Sequence, residues 1–147
     1  MAVEKWNGRF LKVAELAAKW SKDPKAQVGA VVVDAQGQIA GVGYNGFPKL
    51  VEDSAERYGD TDTKLEMVVH AEENALLGAG MRARGGSLYV FGKPICARCA
   101  GSLIQSGITR VVAEKPKKGT DSKWDKSGKF ALQMFKEAKI KFVPNSN

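Results

Sequence analysis

The only histidine of this chain and its only two cysteines have the types and the spacing that a zinc ion requires. His70 is followed two residues later by Glu72, and the thiol pair Cys96 and Cys99 comes further along the chain. A zinc ion that activates a water takes three protein ligands and keeps its fourth position open. The imidazole and the two thiols supply three ligands, so the carboxylate of Glu72 is left free to transfer protons beside the metal.

A structural zinc site or a redox thiol pair would use the same residue types. A structural zinc usually has four protein ligands, so one His and two Cys would need a carboxylate or a second chain to complete it. A redox pair is expected in a strand-helix unit near the start of a domain, whereas Cys96 comes late in this chain. His-x-Glu followed by C-x-x-C is the signature of the zinc-dependent base deaminases, and we therefore favour a catalytic site.

The composition predicts one globular enzyme domain over residues 1–147. Hydrophobic residues make up 44% of the chain and charged residues 27%, which predicts a folded core rather than disorder. No apolar run is long enough to span a membrane, and the first six residues lack the apolar centre of a signal peptide. Since a metal that uses both cysteines leaves none for a disulfide, we expect a cytoplasmic protein.

The net charge of +7 favours anionic partners, among them a nucleotide phosphate or a nucleic acid. Most of the excess comes from lysines between residues 115 and 141, which few aromatic residues accompany. A solvated basic surface explains these lysines equally well. Basic charge does not identify nucleic acid as the substrate, and we expect a small nucleotide rather than a nucleic acid.

Helical and strand patterns alternate along the chain and predict a mixed five-stranded sheet covered by helices. The turn Asp34-Ala35-Gln36-Gly37 joins the first two strands, and residues 49–64 are predicted to form a long loop without a sustained period. The predicted strands cover residues 27–33, 38–44, 87–90, 109–113 and 140–143. The predicted helices cover residues 7–20, 70–78, 97–106 and 127–138.

The candidate site residues come at the starts of two predicted helices. His70 and Glu72 lie about 200° apart around a helix, so they can serve one site only if that site is at the first turn. The unpaired N–H groups and partial positive charge of a helix start favour an anion there. Cys96 stands at a second helix start, where the same effects lower the thiol pKa and favour the thiolate that zinc binds.

Four segments resemble the deoxycytidylate deaminase family and keep its order and approximate spacing over nearly the whole chain. His-x-Glu with C-x-x-C marks only the wider cytidine deaminase superfamily, whereas Ser-Lys-Asp-Pro and Gly-Tyr-Asn-Gly-x-Pro point to deoxycytidylate. The resemblance implies a three-layer α-β-α cytidine deaminase-like fold. The four matching segments are residues 21–30, 41–48, 68–75 and 103–108.

The same resemblance implies a hydrolase that converts dCMP to dUMP and releases ammonia. It implies a Zn2+ cofactor held by His70, Cys96 and Cys99, with hydroxide attacking C4 of the cytosine ring. Glu72 would take the proton from the water, pass it to N3 of the ring and assist the departure of ammonia.

For the substrate, the resemblance implies a contact between Asn45 and the sugar or the base. It also implies that Ala71 offers its backbone N–H to the edge of the pyrimidine. Ser21, Lys22 and the segment 49–64 are the candidates for the phosphate. A plain turn at Asn45 and a solvated side chain at Lys22 are the alternative interpretations of these two residues.

Many members of the resembled family are hexamers that the nucleotides dCTP and dTTP regulate. We therefore expect a homo-oligomer, between a dimer and a hexamer. The retained loop Gly43-Tyr44-Asn45-Gly46 makes regulation by dCTP and dTTP a hypothesis.

The chain departs from the family just before the first zinc-ligand cysteine. The family usually has Pro directly before that Cys, whereas Ile95 separates Pro94 from Cys96 here. The ligand spacing is intact, so we expect zinc binding, but the changed loop leaves the substrate open. Residues 115–126 also match poorly and contain Trp124 where relatives often have Tyr.

Two other functions stay open beside dCMP deamination. The first is a deaminase of the same superfamily that acts on another amino-base, such as a nucleoside, a modified nucleotide or a base in RNA. The second is a non-catalytic, zinc-stabilised module that binds nucleotide or nucleic acid. The complete His-x-Glu argues against the module, because a purely structural site has no use for Glu72.

Overall fold

A five-stranded mixed sheet forms the centre of the molecule, whose computed structural model describes residues 2–117 and 122–145. The strand order is β2-β1-β3-β4-β5, with β1 antiparallel to β2 and β3, and with β3, β4 and β5 parallel to one another. The predicted mixed five-stranded sheet is therefore confirmed. The strands are β1 Gly29–Val33, β2 Ile39–Tyr44, β3 Ser87–Phe91, β4 Arg110–Ala113 and β5 Lys141–Pro144.

Helices cover both faces of this sheet. Their bounds are α1 Ala2–Ala18, α2 Ala55–Gly59, α3 Thr61–Met67, α4 Ala71–Ala79, α5 Ala97–Gln105 and α6 Lys123–Glu137. Helix α1 packs on one face, where Phe10 and Ala14 contact Val31 and Val33. Because successive strand residues point to opposite faces, Ala30 and Val32 face the other layer, which contains α4, α5 and α6. The three-layer α-β-α arrangement is confirmed.

The segment 49–64 is not the irregular loop that its lack of periodicity predicted. It contains α2 and the start of α3, two short helices whose first turns are capped by side chains. Ser54 accepts a hydrogen bond from the backbone N–H of Arg57, and Asp60 accepts one from Thr63. Each helix is too short to show a period, so the capping residues were the only sequence signal for them.

Three element starts differ from the prediction by two residues or more. Helix α1 begins at Ala2 rather than at residue 7, because the Trp6 ring stacks on Phe10 and extends the apolar face by a turn. Helix α6 begins at Lys123 rather than at residue 127, because Ser122 caps it. Strand β1 begins at Gly29 rather than at residue 27, because the Val28 N–H bonds the Asn45 side chain. Among the described helices, none combines the length and apolar character needed to cross a membrane.

Two glycines of β2 allow α4 to lie directly against the sheet. A Cβ added at Gly41 would overlap the carbonyl of Ala75, and one added at Gly43 would overlap the carbonyl of Ala71. Because strand residues two apart share a face, both glycines present bare backbone to the same helix. The first turn of α4 is therefore set by close backbone packing.

We expect Gly43→Ala to lower the free energy of unfolding by about 1–3 kcal/mol, the usual cost of forcing an extra methyl into a packed site. The exposed Gly8 of α1 is the matched control, because an added Cβ there meets nothing within 4 Å. Gly8→Ala should instead raise the free energy of unfolding by up to about 1 kcal/mol through its helix propensity. Urea unfolding measures both variants, and equal stabilities would contradict the packing argument.

Candidate active site

The four residues with zinc-site chemistry lie at the starts of α4 and α5. His70 is the N-cap residue of α4, which places Glu72 in the first turn of that helix. Cys96 is the N-cap residue of α5, which places Cys99 in its first turn. Both helix starts match the positions expected from the sequence, and they bring together side chains that are far apart along the chain.

The imidazole and the two thiols form one compact cluster. The Nδ1 atom of His70 lies 3.4 Å from the Sγ atom of Cys96 and 3.3 Å from the Sγ atom of Cys99. The three ligand atoms all lie within 4.8 Å of one another. With ordinary Zn–N and Zn–S bond lengths, ligand atoms around one tetrahedral zinc are about 3.5–3.8 Å apart. The residues therefore fit a zinc ion without rearrangement of their helices.

The electrostatics of the two thiols favour metal binding. A hydrogen bond from the Cys99 thiol lowers the pKa of Cys96 to about 4, and the same bond raises the pKa of Cys99. Cys96 also accepts the backbone N–H of Cys99 at 3.4 Å, in the manner of a helix cap. The hydrogen bond with Cys96 raises the pKa of His70. The thiolate of Cys96 is thus already stabilised. Zinc binding would displace the protons from Cys99 and from the Nδ1 atom of His70.

Glu72 is the buried carboxyl of the site. Only 4% of its surface is exposed, and this burial raises its pKa to about 7. A carboxyl whose pKa lies near neutrality can both accept and donate a proton at the pH of a cell. Perturbed carboxyls of this kind cluster at functional sites.

A cleft lies beside this cluster, and His70 and Glu72 line it. His70, Ala71 and Glu72 contribute one wall, and the loop from Asp23 to Val28 contributes the opposite wall. Helix α3 closes a third side, so the segment that was predicted as a loop forms part of the cleft.

Hydrogen bonds between side chains and backbone fix the wall opposite the metal cluster. The Asn45 side chain accepts the Val28 N–H at 2.9 Å and donates to the Ala26 carbonyl at 2.8 Å. The carboxylate of Asp23 forms an ion pair of 2.6 Å with Lys64, and both side chains are largely buried. The wall therefore has one well-determined arrangement.

The structure divides the predicted substrate residues into two groups. Asn45 and Ala71 line the cleft with the metal cluster. Ser21 is buried behind Asn45 and donates its hydroxyl hydrogen to the Asn45 carbonyl at 2.8 Å. Lys22 is exposed and forms an ion pair of 2.7 Å with Asp53. Neither Ser21 nor Lys22 belongs to the described lining of the cleft, and their contact with a phosphate stays a prediction.

Sequence reasoning missed several residues of the cleft. The Trp124 ring lies 5.7 Å from the His70 ring, and the ammonium of Lys93 lies 5.3 Å from the centre of the Trp124 ring. The departure at Trp124 was visible in the sequence, but nothing indicated its contact with His70. Lys93 had no signal beyond its place before Pro94, and Lys64 was hidden in the predicted loop.

In a three-layer α-β-α fold, a His-Cys-Cys cluster beside a buried carboxyl that is not one of its ligands defines the class of zinc-dependent base deaminases. Residues 4–115 match the family model described as the cytidine and deoxycytidylate deaminase zinc-binding region. This match covers well over half of the chain, which therefore belongs to the cytidine and deoxycytidylate deaminase family.

Individual relatives agree with this family. An uncharacterised deaminase from the luxG 3′ region of Aliivibrio fischeri is 38% identical over 138 residues, 94% of this chain and 92% of that protein. The human deoxycytidylate deaminase is 41% identical over 113 residues, 73% of this chain and 63% of that protein. The chain thus spans less than two thirds of the human relative's length.

A solved structure of the dCMP deaminase from the cyanophage S-TIM5, in complex with dCMP and dUMP, has the same fold. Its TM-score is 0.76 at 23% identity, over 96% of this chain and 97% of that chain. The cytidine deaminase-like fold expected from the sequence is confirmed.

We expect Asp23→Asn to lower the free energy of unfolding by about 2 kcal/mol at pH 6, the worth of hydrogen bonds to a charged group. Burial opposes ionisation of Asp23, but hydrogen bonds from Lys64 and from two backbone N–H groups hold its pKa below its ordinary value. The carboxylate therefore stabilises the fold above about pH 4, and this stabilisation is lost as the pH falls through the folded-state pKa.

Urea unfolding at pH 6 and pH 3.5, with a chelator at both values, measures this difference. The gap between the wild type and Asp23→Asn should shrink at the lower pH. Glu66→Gln, at an exposed carboxylate of α3, is the control and should change stability little at either pH. A gap of equal size at both pH values would show that ionisation of Asp23 is not the source.

Proposed function

We propose that this chain catalyses the hydrolytic deamination of dCMP to dUMP, with release of ammonia. The observation that carries the proposal is the burial of Glu72 in a cleft, beside three ligand atoms with zinc spacing. The names of the human and cyanophage relatives support deoxycytidylate as the nucleotide. The domain that performs this reaction is proposed to occupy residues 1–147.

His70, Cys96 and Cys99 are proposed as the three zinc ligands, each through the atom that faces the other two. A bound zinc lowers the pKa of a water towards neutrality and so supplies hydroxide at pH 7. Two thiolates and one imidazole favour zinc over harder divalent cations. The cluster contains no fourth protein ligand among the described residues, so a position remains open for a water.

Glu72 is proposed as the group that moves the protons of the reaction. It accepts a proton from the attacking water and delivers it to N3 of the cytosine ring. It then takes the proton of the hydroxyl group now on C4 and delivers it to the amino group, which leaves as ammonia while the C4 carbonyl forms. Its place in the first turn of α4, two residues after His70, holds the carboxyl beside the metal cluster without making it a ligand. Its burial keeps bulk water away from these transfers.

Ala71 and Asn45 are proposed to position the pyrimidine and its sugar. Ala71 lines the cleft, and its N–H is in the first turn of α4, where backbone N–H groups have no partner within the helix. The amide of Asn45 holds Ala26 and Val28 in the opposite wall. Asn45 therefore shapes this wall, and a direct bond to the sugar remains part of the proposal.

The remaining expectations concern the assembly and its setting. We propose a homo-oligomer, between a dimer and a hexamer, with dCTP and dTTP as effectors. Cys96 and Cys99 are free thiols, and zinc binding requires them to stay reduced, which favours the cytoplasm.

A second candidate function is deamination of another amino-base by the same zinc chemistry. The observation that favours it is the lengthened approach to Cys96, since Lys93 and Pro94 from this segment line the cleft. A base other than cytosine, or a modified nucleotide, would contact Lys93 and Pro94 in this part of the cleft. A non-catalytic nucleotide-binding module is the third candidate, and it leaves the buried carboxyl of Glu72 without a purpose.

The substrate is tested by ammonia release from the zinc-quantified protein on dCMP, CMP, deoxycytidine, cytidine and dAMP in parallel. We expect rapid turnover of dCMP and much slower turnover of the others, because the similar human and cyanophage proteins are named as deaminases of deoxycytidylate. Preferred turnover of another compound would move the assignment to the second candidate. Silence on all five, with zinc bound, would favour the binding module.

We expect Glu72→Gln to bind one zinc per chain and to lose about 10²–10⁴-fold in kcat, the usual contribution of a positioned general acid–base. Cys99→Ser should lose zinc and turnover together, because it removes a ligand. Glu66→Gln, at the exposed position of α3, is the control that should keep both. Metal analysis and ammonia release on the same samples measure zinc content and turnover together. High activity in zinc-loaded Glu72→Gln would refute the assignment of Glu72 as the proton-transfer group.

A further inference from the structure

We propose that Lys93 binds the phosphate of the nucleotide substrate and so makes this site selective for nucleotides over nucleosides. This inference rests on the proposed function, since it concerns the substrate of the same cleft. It differs from the expectation drawn from the sequence, which assigned the phosphate to Ser21, Lys22 and the segment 49–64.

Two lysines line the described part of the cleft, and only Lys64 has a carboxylate partner among the described residues. Lys64 forms a 2.6 Å ion pair with Asp23, a carboxylate that would repel a phosphate placed beside that ammonium. Lys93 has no carboxylate within ion-pair distance among the residues that the structure describes. A dianionic group entering the cleft is therefore attracted to Lys93 rather than to the Lys64–Asp23 pair.

Trp124 holds the ammonium of Lys93 at the edge of the cleft. The ammonium lies 5.3 Å from the centre of the indole ring, within the range of a cation–π contact. This contact orients a long, flexible side chain, and within the described ranges no carboxylate takes up its three N–H donors. An incoming phosphate can thus gain a charge-assisted hydrogen bond without breaking an existing ion pair.

The position of Trp124 is itself fixed relative to the metal cluster. Ser122 caps α6 by accepting the backbone N–H of Asp125, so the first turn that carries Trp124 is well formed. Ser127 accepts the backbone N–H of Ala97 at 2.8 Å and ties α6 to the start of α5. Because Cys96 and Cys99 belong to that start, the indole and the metal ligands are part of one packed unit.

The backbone that carries Lys93 is equally restrained. Gly92 has a φ of +116°, and a Cβ added there would overlap the carbonyl of Gln27. On the other side, the side chain of Ile95 is 3% exposed and belongs to the core. The segment 92–95 is thus held at both ends, and Lys93 and Pro94 between them face the cleft.

The ammonium of Lys93 also lies near the metal cluster. The Trp124 ring lies 5.7 Å from the His70 ring and 5.3 Å from that ammonium, so the ammonium is no more than 11 Å from the imidazole. A nucleoside monophosphate has a single sugar between the base and the phosphate. When its base is held at Glu72 and Ala71, its phosphate can reach the ammonium of Lys93, whereas a nucleoside leaves that ammonium unpaired.

The test measures binding of dCMP and deoxycytidine by calorimetry in the zinc-loaded Glu72→Gln protein, which prevents turnover. Lys93→Met should weaken dCMP about 10- to 100-fold, the range expected for a lost charge-assisted hydrogen bond, and should leave deoxycytidine nearly unchanged. Lys93→Arg should restore most of the dCMP affinity because it restores the charge. Lys12→Met, at an exposed lysine of α1, is the matched control and should change neither ligand.

Three results would overturn the proposal: unchanged dCMP affinity in Lys93→Met, an equal loss for dCMP and deoxycytidine, or no preference of the parent protein for monophosphates over nucleosides. Binding of CMP and dAMP is measured beside that of dCMP. This distinguishes an error in the proposed sugar or base from an error in the phosphate assignment. The zinc-loaded protein with Glu72 intact could turn over no dCMP while a monophosphate still binds more tightly than its nucleoside through Lys93. In that case the phosphate assignment stands and the proposed function fails.

Discussion

The close approach of α4 to β2 is the constraint on which the rest of the site depends. Gly41 and Gly43 present bare backbone to the helix, and the first turn of α4 therefore rests directly on the strand. That turn carries His70 and Glu72, so their distance from the sheet is set by backbone contact rather than by adaptable side chains. A shift as small as one methyl group would move the imidazole relative to the thiols, and ligand geometry tolerates only a few tenths of an ångström.

The wall opposite the metal cluster is built on a different principle. Short polar side chains there bond the backbone of residues 21–28, which has no regular secondary structure of its own. Asn45 satisfies both Val28 and Ala26, and Asp23 joins this loop to Lys64 of α3. The polar side chains of this loop form hydrogen bonds with one another and with backbone groups. These bonds fix the conformation of the loop, which has no apolar core of its own.

Much of this architecture could be predicted because its signals are local. The alternation of β-branched runs and helical spacing gave all five strands and four of the helices, and the His-x-Glu and C-x-x-C spacing placed the metal cluster at helix starts. Helices α2 and α3 escaped because two short helices have no period, and only the caps Ser54 and Asp60 marked them. The contacts of Lys93 and Trp124 escaped because they depend on how α6 packs against α5, which no local pattern encodes.

Ile95, which stands between Pro94 and Cys96, illustrates how different parts of this fold carry the proposed chemistry and the proposed recognition. Ile95 enters the core, where it is 3% exposed, and Cys96 still caps α5 with its thiol beside His70. The lengthened segment therefore leaves the ligand positions intact. What it changes is the surface just before them, where Lys93 and Pro94 line the cleft. Since the proposed catalysis uses the three ligands and Glu72 while the proposed recognition uses the wall, a single residue can alter recognition and leave the proposed metal chemistry untouched.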